Sequence, residues 1–134
     1  MREILFRGKR TDNGEWVEGF YSAEEYNLNI RKIEYIPRIQ IIGKCVSMGV
    51  ITETVGQYTG LTDKNGMRIF EGDLIRSTET GETAIVQWFS EHSAFMIWCK
   101  TSNQVGFLYE CEKSIIEVIG NIHDNPELIG GEDK

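Results

Sequence analysis

Close cysteine pairs are absent from this sequence. Cys45, Cys99 and Cys111 are odd in number and lie far apart, so their spacing matches neither a zinc knuckle nor a Cys-x-x-Cys redox site. They are expected to be reduced thiols packed as small apolar side chains. Histidine is scarce too: His92 and His123 are the only two, and neither belongs to a close ligand pair. Both are expected in structural or surface positions, with no metal and no cofactor bound. No apolar run approaches the roughly 20 residues that cross a bilayer. The start, Met1 to Arg7, holds three consecutive apolar residues before a basic stretch, too few for a signal-peptide core. A cytoplasmic protein without membrane association is therefore expected. Also missing are Gly-x-Ser-x-Gly, Gly-x-x-x-x-Gly-Lys-Ser/Thr and Gly-x-Gly-x-x-Gly, which removes the usual support for a hydrolase, a nucleotidase or a dehydrogenase. No catalytic residue is assigned, and an enzyme is not expected.

What is present is an ordinary globular composition. The 134 residues are 40% hydrophobic and 26% charged, enough for one buried core without a metal or disulfide staple. We expect a single β-rich domain over residues 1–129 and a flexible tail at 130–134. The net charge of -7 is unevenly spread: residues 1–44 carry eight Lys/Arg against seven Asp/Glu, and residues 45–134 six against fourteen. Such a balance opposes indiscriminate nucleic-acid binding, which draws on a basic surface to release counterions. The one basic cluster, Arg2, Arg7, Lys9 and Arg10, together with Trp16, is the candidate interaction surface. It suits phosphate, or the carboxylates of the acidic remainder, within one molecule or across a symmetric assembly. Trp88 and Trp98 lie in the acidic part, where a core or partner contact is expected over a base-stacking platform.

Turn chemistry sets the strand pattern. Asp12-Asn13-Gly14 and Asp63-Lys64-Asn65-Gly66 read as hairpin turns, because Asn and Gly tolerate the positive φ that such turns need. Between them, Ser22 to Tyr26 offers an N-cap followed by acids and reads as a short helical turn. Pro37 splits the apolar run Ile33 to Ile42, which suits an edge strand or a break, and Val46 to Thr59 continues in a β-branched register. Thr83 to Phe89, Ala94 to Lys100 and Ile115 to Ile122 are further strands, with Gly72 and Gly81 permitting sharp bends. Asn125-Pro126 reads as a helix start. The expected fold is mostly β: short antiparallel strands in a small, highly curved, barrel-like sheet with one or two short helical turns. Glu71 and Asp73 could pair for acid–base work, but charges alternating about a bend glycine serve a strand equally well.

The stretch Gln57 to Arg76, QYTGLTDKNGMRIFEGDLIR, closely resembles the central signature of YopX-like proteins carried by bacteriophages and prophages. Met1 to Arg7 looks like that family's opening, and Glu117 to Leu128, EVIGNIHDNPEL, like its close. Tyr58, Gly60, Asn65, Gly66, Glu71, Gly72, Asp73, Gly120, Asn121 and Pro126 are the motif positions, read as structural. Residues 22–56 and 77–112 match in general character alone. The resemblance implies a mostly-β protein made from a phage or prophage genome in a bacterium, and it supplies a setting rather than a reaction. The expected mode of action is binding, to itself as a homo-oligomer and to a host or phage protein, with nucleic acid as the alternative through the basic cluster.

Elemental analysis of the purified protein should find no stoichiometric zinc or iron. One tightly held transition metal per chain, lost when His92 or His123 is replaced, would contradict the reading of the Cys and His spacing.

Overall fold

The computed structural model describes residues 4–29, 32–41 and 46–129. Arg2, Cys45 and the tail at 130–134 lie outside the described residues. The protein is mostly β, with its strands in two antiparallel sheets of six and five, and the chain divides into two compact units, Met1–Tyr58 and Thr59–Lys134.

The first unit begins with β1 (Phe6–Lys9) and β2 (Trp16–Asn29), joined by the expected turn. Gly14 adopts φ +74°, its amide donates to the Arg10 carbonyl at 3.0 Å, and the Arg10 amide donates to Glu15 at 2.8 Å. β3 (Lys32–Ile41), β4 (Ser47–Gly49) and the start of β5 (Gly56–Thr62) complete the order β4-β3-β2-β1-β5. Ser22 to Tyr26 is strand, not the expected helical turn, and pairs with Arg38 to Glu34 of β3. One capped turn of helix is marginal alone, and a long ladder outweighs it.

Pro37 neither breaks β3 nor places it at an edge. In a strand, the N–H and C=O of one residue point to the same side. The Pro37 carbonyl accepts the Val50 amide at 3.0 Å, so its missing N–H faces that side, one residue beyond the segment Arg38 to Gln40 that pairs with β4. The ladder to β2 loses nothing. The continuous strand expected over Val46 to Thr59 is interrupted by a 3₁₀ turn at Thr52–Thr54. There the Thr54 hydroxyl accepts the Lys9 amide at 2.9 Å and donates to the Ile51 carbonyl at 2.6 Å.

The second unit holds β6 (Arg68–Phe70), β7 (Asp73–Ser77), β8 (Thr83–Phe89), β9 (Ala94–Cys99), β10 (Gln104–Phe107) and β11 (Ile116–Asn121). Its five-stranded sheet has the order β10-β9-β8-β7-β11. Period-two alternation brings Ile75, Ala84 and Val86 onto one face, where they pack with Ile69, Leu108 and Ile116. Each large aliphatic side chain buried there stabilises by about 1.5–3 kcal/mol. Among the described residues β10 and β11 remain as edges, so the sheet stays open and no barrel closes. Helical structure among these residues is limited to 3₁₀ turns, including Pro126–Leu128 with Pro126 at its first position.

One carboxylate organises the second unit. Asp63 is fully buried. Its Oδ1 accepts the amides of Asn65 at 2.8 Å and Met67 at 2.9 Å, and its Oδ2 accepts the amide of Val118 at 2.9 Å. The Lys64 amide adds a bond to the Ile116 carbonyl at 3.0 Å. Thus the turn between β5 and β6 is stitched to β11. Burial alone would raise the pKa of Asp63, but the amides of Val118, Met67 and Asn65 together hold it below the ordinary carboxylate value. Gly66 closes the turn at φ +79° with open space where a Cβ would stand.

Replacing Gly66 with Val should cost about 1–3 kcal/mol, from backbone strain alone. An unchanged denaturation midpoint would refute the turn. Asp63→Asn should cost about 2–4 kcal/mol, because an amide offers the three donors a poorer set of acceptors. The folded pKa of Asp63 lies below that of the unfolded chain, so its contribution is complete above about pH 4 and lost as pH falls through the folded value. Urea midpoints measured across this range should fall in acid, and fall less in Asp63→Asn.

Candidate functional site

The amino-terminal basic residues separate in the fold. Arg7 and Lys9 stand two apart on β1 and so share a face, opposite Glu18 and Trp16 on β2. The Arg7 guanidinium lies 4.7 Å from the centroid of the Trp16 ring and the Lys9 ammonium 5.7 Å from it, within cation–π range. Arg10 turns away into a two-pronged pair with Asp12, at 2.9 and 2.6 Å. That hydrogen bond holds the Asp12 carboxyl below its usual value. Three of the candidate residues, Arg7, Lys9 and Trp16, therefore form one patch, while Arg10 is engaged by Asp12.

The motif residues sit in backbone joints. Tyr58 is buried, and its amide donates to the Leu5 carbonyl at 2.7 Å. Gly60 adopts φ +88°, while Asn65 and Gly66 belong to the Asp63 turn. Asp73 is buried and accepts the Phe70 amide at 2.8 Å; Glu71 beside it is half-buried. Gly72 donates to Val86 at 2.8 Å and accepts from Ile122 at 2.9 Å, joining its loop to β8 and to the end of β11. At that end, the Asn121 carbonyl oxygen of the side chain accepts the amides of His123 and Asp124 at 3.0 and 2.9 Å. Asn125 stands at the N-cap position of the following 3₁₀ turn, but its side chain makes no capping bond there. Its Oδ1 accepts the Asn121 amide at 3.2 Å, and a Cβ on Gly120 would stand 2.7 Å from the Asn125 Cγ, so that approach admits only glycine.

His92 stacks edge-on against Phe107, with ring centroids 5.6 Å apart. Among the described residues, no three His, Cys, Asp or Glu side chains gather as a metal site would require, and no helix is long and apolar enough to cross a membrane. Trp98 donates its indole N–H to Asn103 at 3.1 Å. Trp88 is about half exposed and packs edge-on against Phe95 at 5.0 Å.

Sequence reasoning missed the most ligand-like feature. A cleft of about 400 Å³ opens on one face of the five-stranded sheet. It is lined by Ile75 and Ala84, paired across β7 and β8, by Cys99 and Gln104, paired across β9 and β10, and by Ile97, Glu110 to Glu112, Ile115 and Ile116. The charged residues lining it are Glu82, Glu110 and Glu112, all exposed. Both cysteines at the cleft are free and half-buried. Burial would raise the Cys99 thiol, but hydrogen bonds with Ser102 and Thr101 outweigh it and hold the pKa below the usual thiol value. Burial pushes Cys111 up. The lining residues come from three separate stretches of chain, 75–84, 97–106 and 110–116, so no local spacing announces them. The alternation in β7 to β9 was the one available signal, and it reads equally as core.

No curated protein matches the chain. The family model described as YopX protein matches residues 5–130, which takes in the Asp63 turn, the Gly72 loop and the Asn121 joint. On that match, across nearly its whole length, the chain belongs to the YopX family.

Proposed function

We propose that this protein acts by binding rather than by catalysis, associating with itself and with another protein in the cytoplasm of a bacterium that carries the phage or prophage encoding it. The observation that carries this reading is the cleft on the second unit, with apolar side chains inside it and, among the described residues, carboxylates as its charged groups. Concave apolar surfaces with a few convergent polar groups are the usual form of a recognition site. The outer strand β10 adds to it among the described residues, since short edge strands gain by pairing with another chain. The motif carboxylates Asp63 and Asp73 accept backbone amides, an occupation suited to folding and poorly suited to proton transfer.

A nucleic-acid reading has one observation in its favour, the patch in which Arg7 and Lys9 share a face with Trp16. Charge opposes it. The cations lie over the ring that a base would have to reach, and a chain of net charge -7 approaches a polyanion against its own field.

Light scattering over a range of concentrations should show a discrete oligomer. Duplex DNA at physiological salt should bind no tighter than the non-specific range of about 10⁻⁴ to 10⁻⁶ M. A strict monomer with nanomolar DNA affinity, falling steeply with salt and lost when Arg7, Lys9 and Arg10 become Ala, would replace this reading with the nucleic-acid one.

A further inference from the structure

We infer that the cleft beside β10 receives an extended segment of a partner protein, in which an apolar side chain is followed or preceded two positions away by lysine or arginine. The inference rests on the binding reading above and gives it a place and a chemistry.

Volume and lining set the first requirement. About 400 Å³ over Ile75, Ala84, Ile97 and Ile116 lies toward the small end of ligand pockets, roughly 300–1,000 Å³, and suits one or two large side chains. Charge sets the second. Glu82, Glu110 and Glu112 stand at the mouth, and among the described residues no Lys, Arg or His lines the cleft. The surroundings agree: Thr59–Lys134 carries thirteen acidic residues against six basic, whereas Met1–Tyr58 carries eight of each. A phosphate or carboxylate ligand would be repelled here, and a cationic one drawn in. A bare metal ion is poorly served, since these carboxylates do not gather in a group of three.

Backbone geometry sets the third requirement and makes the occupant a polypeptide. Gln104, Val105 and Gly106 line the cleft and belong to β10, the outer strand of its sheet among the described residues. Val105 is 56% exposed. An outer strand offers main-chain donors and acceptors to an added strand, and pockets beside it then select alternate side chains. Residues two apart on that added strand share a face, so one enters among the apolar side chains while the other reaches the carboxylates.

The test is selection of random dodecapeptides on the immobilised full-length chain. Fluorescence anisotropy of the selected peptides and mapping of amide shifts by NMR follow. The expected peptides carry Lys or Arg two positions from an apolar residue and shift the amides of Ile97, Gln104 to Gly106 and Glu110 to Glu112. The double change Glu110→Gln, Glu112→Gln should weaken them about fivefold at low salt without moving the denaturation midpoint. Gly106→Leu should abolish binding. A Cβ there meets only Ile97, at 3.9 Å, so the larger side chain fills the cleft without displacing backbone. Selected peptides that shift Arg7 to Trp16, and bind Gly106→Leu unchanged, would overturn the cleft assignment and leave the binding reading standing. A chain that selects no peptide overturns the cleft assignment too. If that chain is also monomeric at every concentration, the binding reading falls with it.

Discussion

The Asp63 carboxylate accepts two amides from its own turn and a third from Val118, fifty-five residues further along the chain. Removing a carboxylate from water is expensive unless its lone pairs are satisfied, and here they are satisfied by backbone donors from two distant parts of the chain. The turn, the start of β6 and the middle of β11 must therefore be placed together for the charge to be buried at all. That coupling draws a local hairpin and a distant strand into one structural event. It also positions Ile69 and Ile116, which flank the joint in sequence, within the apolar cluster formed with Ile75, Val86 and Leu108.

The same coupling accounts for the chemistry of the family signature. The acids and glycines of the stretch from Gly60 to Asp73 resemble a catalytic loop when read as a list of residue types. In the fold, Asp63 and Asp73 accept backbone amides, Gly66 supplies a left-handed turn residue, and Gly72 bonds to β8 and to the residue that follows β11. With the signature occupied in this way, the surfaces left for the proposed binding lie outside it. Two stand out: the Arg7–Lys9–Trp16 patch on a charge-balanced unit, and the carboxylate-rimmed cleft on the unit that carries the whole net charge.

How much of this was legible in the sequence depended on distance along the chain. The hairpin at Asn13-Gly14 and the turn at Asn65-Gly66 were readable because positive φ is a local demand met by few residue types. The mostly-β class followed from such turns and from β-branched runs. The strand at Ser22 to Tyr26 was not readable. Its capping pattern favours a helical turn, and only pairing with β3 decides otherwise. Pro37 misled in the same way, since its tolerance depends on where β4 ends. Asp63 was readable as a turn former, but its third acceptor bond reaches Val118 and leaves no local mark. The cleft was least legible, because Glu82 comes to line the same cleft as Glu110 and Glu112 only through tertiary folding.

That the signature is a folding joint rather than a site can be tested by native-state hydrogen exchange on the intact chain. The amides of Asn65, Met67 and Val118 all bond to one buried carboxylate, so they should exchange together, among the slowest in the second unit, with a common opening free energy. In Asp63→Asn all three should accelerate by the same factor. Fast, independent exchange of the Val118 amide in the unaltered protein would show that the carboxylate does not join the turn to β11, and would contradict the account at its base.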